Sequence, residues 1–250
     1  MSQPPARNSD SARQASAAQA LFDTVCDLLR RGDERANALL PRLQAYPAHG
    51  PGWLQLGRTL TELGQSNAAM VAFDQALAAP EPPLAALLEK ADLMIATGDA
   101  AAAARWLATF QRRGADDIRL HHKLGRAHYA AGDCEAARTA LRATVDKAPD
   151  FAEAWFHLGL VEQDLNRPAA AAAAYRHALS AGPDMFEAAL NLGISLQDTG
   201  DIETALDAYA RAVRIKPACF NRVAQALTSA PTGQLWLDPR ALRRSLARRA

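Results

Sequence analysis

Small and apolar residues recur along this chain at a fixed interval. Leu56-Gly57, Leu124-Gly125, Leu158-Gly159 and Leu192-Gly193 stand 34 residues apart or twice that, with Lys90-Ala91 filling the missing step. The same step links Gly64, Gly98, Gly132, Asn166 and Gly200, and again Ala69, Ala103, Ala137, Ala171 and Ala205. Four residues after each alanine comes a bulky side chain: Phe73, Leu107, Leu141, Tyr175 and Tyr209. Pro149, Pro183 and Pro217 close three of the units at one offset. Five columns in one register predict a repeated pair of helices. Gly57 and Ala69 let two backbones approach while Trp53, Leu60 and Phe73 fill the space on either side. The Gly64 column suits the end of each first helix, where a left-handed residue is tolerated without a β-carbon. Asp99, Asp133 and Asp201 follow and are placed to cap the second helix.

The register sets five units at 50–83, 84–117, 118–151, 152–185 and 186–219, of which the second departs furthest from the pattern. Upstream, 16–49 reads as an atypical helical pair, with helices over 17–31 and 34–45 joined at Gly32-Asp33, and 1–15 as a polar, disordered leader without the apolar run of a secretory signal. Downstream, 220–250 holds a covering helix at Phe220 to Thr228. A break at Pro231-Thr232-Gly233 follows, then a short basic helix opened by Asp238-Pro239. Its arginines, Arg240, Arg243, Arg244, Arg248 and Arg249, suit a solvated cap, with a phosphate backbone or an acidic lipid surface as the rival partner. Leu235, Trp236, Leu237, Leu242 and Leu246 form its apolar side.

These columns closely match Trp-x-x-Leu-Gly, Ala-x-x-x-Phe and Pro at a 34-residue period, so the chain resembles the tetratricopeptide-repeat (TPR) family. Trp53, Leu56, Gly57, Ala69 and Phe73 carry the match in one unit, and Trp155, Leu158, Gly159, Ala171, Tyr175 and Pro183 in another. The resemblance implies an all-α, right-handed solenoid of helix-turn-helix repeats with capping helices, a stand-alone array of bacterial style. It also implies a groove lined by the first helices that binds a protein or peptide segment. The positions that would face it are Gln55, Arg58, Glu89, Asp92, Arg119, His122, Lys123, Arg126, His157 and Asn191. One TPR subgroup clamps the free carboxylate of a chaperone tail. Here those columns hold Leu54 and Arg58, Glu89, then Arg119 and Lys123, and only the last pair suits, because Glu89 repels a carboxylate.

Composition sharpens this picture by exclusion. Of 250 residues 49% are hydrophobic but only 6% aromatic, an Ala- and Leu-rich mix that favours helix packing. With 28 Lys and Arg against 27 Asp and Glu, the whole chain has no bias toward nucleic acid or anionic membrane. Cys26, Cys134 and Cys219 are too few and too dispersed for a disulfide framework or a Cys-x-x-Cys motif, which favours a reducing, cytoplasmic setting. Phosphate-loop, zinc-protease, EF-hand and nucleophile-elbow motifs are absent, so no enzyme activity, cofactor, metal or small-molecule substrate is expected. His121, His122 and His128 crowd one segment. None lies one turn from another, and His121 and His128 occupy the Trp53 and Leu60 columns, so they read as core substitutes. Arg119, Lys123 and Arg126 fall at i, i+4 and i+7 on one helix face, a like-charge stripe that either suits an acidic segment of a partner or is neutralised across the groove by Glu89 and Asp92. A scaffold for a protein partner is therefore the leading expectation. A regulatory or targeting module for a separately encoded enzyme, such as a glycosyl- or sulfotransferase, is the second.

Overall fold

The computed structural model describes residues 7–114, 116–229 and 239–249, and among them every regular element is helical. The helices are α1 (Arg7–Arg30), α2 (Arg35–Leu39), α3 (Gly50–Glu62), α4 (Ser66–Ala78), α5 (Leu84–Ala96), α6 (Ala100–Arg112) and α7 (Ile118–Ala130). They continue with α8 (Cys134–Lys147), α9 (Ala152–Asp164), α10 (Pro168–Ala181), α11 (Phe186–Asp198), α12 (Ile202–Ile215), α13 (Phe220–Ser229) and α14 (Pro239–Arg249). The chain divides into two compact units, Met1–Ala103 and Ala104–Ala250. The boundary falls inside α6, in the repeat that departs furthest from the pattern.

The turns inside the repeats are built as their residues demand. Gly64, Gly98, Gly132 and Gly200 all have φ between 72° and 93°, and Asn166 takes the same left-handed role at 56°. Asparagine is among the few residues with a β-carbon that tolerate this conformation. The Asp133 carboxylate accepts from the Ala136 N–H at 3.1 Å and the Asp201 carboxylate from the Thr204 N–H at 3.2 Å, so both cap their helices.

In the first unit α1 packs on α3, and Phe22, Val25 and Cys26 join Leu43, Trp53, Leu56, Leu60 and Phe73 in one core. Trp53 meets Phe22 edge-on at 5.2 Å and donates its indole N–H to the Tyr46 carbonyl at 3.1 Å. Two expectations need correction here. Helix α1 begins at Arg7, inside the segment 1–15 assigned to a leader; no proline or glycine interrupts the chain from there to Arg30. Residues 1–6 lie outside the described ones. The second helix of the pair, expected over 34–45, is α2 followed by a 3-10 stretch, Leu40–Ala45. Pro41 has no N–H to continue the α-helical ladder and its ring crowds the preceding turn.

In the second unit α7–α8, α9–α10 and α11–α12 are antiparallel hairpins, each packed on the next. Their close approach rests on the Leu-Gly column. A β-carbon on Gly125 would stand 2.6 Å from Leu141, and one on Gly159 or Gly193 would stand 2.4 Å from the ring of Tyr175 or Tyr209. Helix α14 lies on α12, burying Leu242 and Leu246, while Arg249 pairs with Glu203 at 2.5 Å and Asp207 at 2.8 Å. The Arg243 guanidinium sits 4.0 Å over the Phe220 ring. Leu235, Trp236 and Leu237, also assigned to this apolar side, lie outside the described residues. Removing residues 239–250 should therefore destabilise the second unit by about 1–2 kcal/mol, the gain from two buried leucines less the entropy of ordering the helix. Calorimetric melting checks this.

Candidate functional site

The residues singled out on the first helices fall into two sets, one in each unit. In the first unit most are engaged by near neighbours. The Gln55 amide donates to Asp23 at 2.9 Å and accepts from Gln19 at 2.8 Å, which ties α3 to α1. Arg58 grips Glu89 with both carboxylate oxygens, at 2.9 and 3.0 Å from Nε and 2.5 Å from a terminal nitrogen. This fork joins the first helices of two successive repeats and holds the Arg58 guanidinium above its usual range. The two residues, with Thr61, Glu62, Phe73 and Asp92, line a shallow pocket of about 380 Å³.

In the second unit the three-residue stripe is not uniform. Arg119 is drawn to Asp117, whose carboxylate takes its side chain at 3.0 and 2.9 Å and its backbone N–H at 2.8 Å. The arginine thereby helps to close the N-terminal cap of α7, and it holds Asp117 below the usual carboxylate range. Lys123 and Arg126 are partly buried on the same helix, and both act electrostatically on His122 and His157. His122 and His157 meet across α7 and α9, His122 Nε2 lying 3.1 Å from His157 Nδ1. Phe151 meets His122 edge-on at 4.8 Å, and Phe156 meets His157 likewise at 5.5 Å. Asn191, half-buried on α11, acts on the Tyr175 phenol and lowers it against the effect of burial.

His121, placed in a core column, is buried and also satisfied: Gln111 Nε2 lies 3.0 Å from its Nδ1 and Asp116 Oδ1 lies 2.8 Å from its Nε2. An amide N–H can only donate, so Nδ1 accepts and Nε2 carries the hydrogen given to Asp116. His128, expected as a core substitute, is only partly buried and stands 3.8 Å from Asp133, because it lies near the helix end. Among the described residues no three His, Cys, Asp or Glu side chains converge on a point that could hold a metal ion.

Two features were not anticipated. Tyr175 donates its hydroxyl hydrogen to Gln163 at 2.6 Å, and Tyr209 donates to Gln197 at 2.8 Å; both tyrosines are fully buried, which pushes their phenols up. The signal was in the sequence. A glutamine stands twelve residues before the bulky column where that column holds tyrosine, whereas Thr61, Ile95 and Tyr129 stand there when it holds Phe73, Leu107 and Leu141. Glu162 is the other surprise, a carboxylate buried in the Leu60 column. Its side chain comes within 3.7 Å of Arg167, which also pairs with Glu135.

A tetratricopeptide-repeat model matches residues 122–183 and 160–218, and a second model of the same description matches 51–81, together just over half the chain. The chain belongs to the tetratricopeptide-repeat family. The unmatched stretch between these segments contains the divergent second repeat. Solved structures agree on the fold. A crystal structure of MamA aligns with a TM-score of 0.57 and 22% identity over 65% of this chain and 95% of its own. TTC0263, a thermophilic TPR protein of Thermus thermophilus, aligns with 0.57 and 26% over 71% and 98%. YrrB, described as a TPR protein with an unusual peptide-binding site, aligns with 0.54 and 17% over 71% and 92%. No curated protein matches this TPR chain. No described helix is long and apolar enough to cross a membrane.

Proposed function

We propose that this TPR protein is a non-enzymatic, cytoplasmic scaffold that holds a segment of a protein partner against the first helices of its second unit. An acidic stretch of that segment would contact Lys123 and Arg126. The observation that carries the reading is the position of these two side chains: one turn apart on α7, outside the core columns, beside the ring cluster of His122, His157, Phe151 and Phe156. Like charges at this spacing cost an isolated helix a few tenths of a kcal/mol, and an acidic segment bound against them would lower that cost. Arg119 is left out because its guanidinium, with its backbone N–H, closes the N-terminal cap of α7 on Asp117. The arginine helix α14 is left out because Arg243 and Arg249 are engaged with Phe220, Glu203 and Asp207.

Affinity capture with mass spectrometry identifies the partner, and calorimetry then tests the contact. The double change Lys123→Ala, Arg126→Ala should weaken capture at least tenfold, since a hydrogen bond between charged groups contributes about 1.5–3 kcal/mol, and should leave melting unchanged. Arg119→Ala should leave affinity within about twofold. Equal affinity of the folded double variant and the parent would sink the proposal. Binding that collapses between low and moderate salt and follows nucleic acid would do the same, since it would mark phosphate recognition.

A further inference from the structure

The two imidazoles between α7 and α9 share a hydrogen. His157 Nδ1 lies 2.6 Å from the Glu153 carbonyl oxygen and 3.1 Å from His122 Nε2, with ring centroids 4.9 Å apart. A carbonyl oxygen can only accept, so His157 Nδ1 carries the hydrogen. His122 Nε2 must then present a lone pair to that hydrogen and keep its own on Nδ1. One N–H therefore bonds α9 both to its own first turn and to α7. The arrangement exists only while His122 is neutral, because a proton on its Nε2 would set N–H against N–H.

The surroundings keep both rings neutral. Phe151 and Phe156 cover part of the His122 and His157 rings through their edge-on contacts, and His122 is buried. The charged groups acting on the pair are Lys123 and Arg126 of α7, which oppose added positive charge, and Glu153 of α9, which favours it. Helices α8 and α10 are also packed on α9, and none of their ionisable groups is among the largest influences on either ring. Burial, then the neighbouring imidazole and the two cations, push His122 down to about 3. Burial pushes His157 down to about 4, against its bond to the Glu153 carbonyl. Both values lie below the 6.5 of a free imidazole. Between pH 6.5 and about 4 an opened state therefore binds more protons than the closed one. The pair's contribution is complete above pH 6.5 and is lost as the pH falls, by up to about tenfold per ring per pH unit.

We propose that the His122–His157 pair is an acid-released latch between the third and fourth repeats: neutral, it holds α7 to α9, and a proton taken up during a transient opening keeps them apart. The latch acts whatever the repeats bind. Amide hydrogen exchange of the full chain at about pH 7 and about pH 5, corrected for the intrinsic rate, reads it directly. Opening of α7 and α9 should rise at least tenfold on acidification, while α11 and α12 change less than about twofold. The double change His122→Gln, His157→Gln should remove the rise even though His121 and His128 stay in α7. A parent without the rise, or a double variant that keeps it, overturns the proposal. Should the double variant fail to fold, histidine nitrogen spectra of the parent decide. Two neutral rings at about pH 5, with His157 protonated on Nδ1, support the latch; a ring titrating near 6.5, or His157 protonated on Nε2, overturns it.

Discussion

Gly159→Leu is expected to cost about 3 kcal/mol or more and to open α9 and α10 before the rest of the second unit. Even a β-carbon at this position would stand 2.4, 2.7 and 2.8 Å from three atoms of the Tyr175 ring. The ring has nowhere to swing: it is fully buried, its hydroxyl is held by Gln163, and Phe156 packs at 6.0 Å. A side chain four carbons larger than the space must therefore part the helices, which places the change beyond the usual 1–3 kcal/mol of overpacking. Because a repeat contacts only its neighbours, the loss should appear locally first. Urea unfolding gives the total, and hydrogen exchange gives the place. Gly200→Ala is the control, with open space around the new carbon but φ at 86°, and should cost only about 1 kcal/mol. A Gly159→Leu chain as stable as the parent would mean that α9 and α10 do not pack as described.

Tyr209→Phe should lower stability by about 2 kcal/mol, although it removes a single oxygen. The Gln197 carbonyl oxygen that accepts from Tyr209 sits on a residue only 1% exposed, so water cannot replace the lost hydroxyl there. Losing a hydrogen bond that water cannot replace costs about 1–3 kcal/mol. Tyr175→Phe should cost nearer 1 kcal/mol, because Gln163 is only half-buried and water can replace the hydroxyl. Replacing both members of the buried pair, Tyr209→Phe with Gln197→Leu, should recover most of the loss, and a double-mutant cycle from chemical denaturation measures the coupling. Additive losses would show that the two groups do not interact.

The repeat architecture was legible because it rests on backbone approach and turn conformation, each of which leaves few permitted residue types in a fixed column. Gly159 and Gly193 lie against tyrosine rings, and Asn166 adopts the left-handed turn of its glycine counterparts. The candidate face was legible only as a set of positions. Periodicity places Arg119, Lys123 and Arg126 on one side of α7, but which side-chain head turns away depends on local chemistry, and Asp117 claims Arg119 from two residues upstream. His122 and His157 stood among the groove positions as separate residues, and their contact emerges only when α7 and α9 are set side by side. The leader was misjudged for another reason. Polar composition around Ser9 to Ser16 describes a solvated surface, which a helix end and a disordered tail share.

The tyrosine–glutamine bonds bear on how such a chain can be copied and recombined. Gln163 and Tyr175 belong to the two helices of one repeat, as do Gln197 and Tyr209. A genetic crossover in the turn near Asn166 with any of the first three repeats would separate donor from acceptor and leave a glutamine facing leucine or phenylalanine. A crossover near Pro149 or Pro183 would carry each pair across intact. The smallest portion of this molecule that can be inherited as a working module is therefore a whole helical hairpin, with its joints at the prolines.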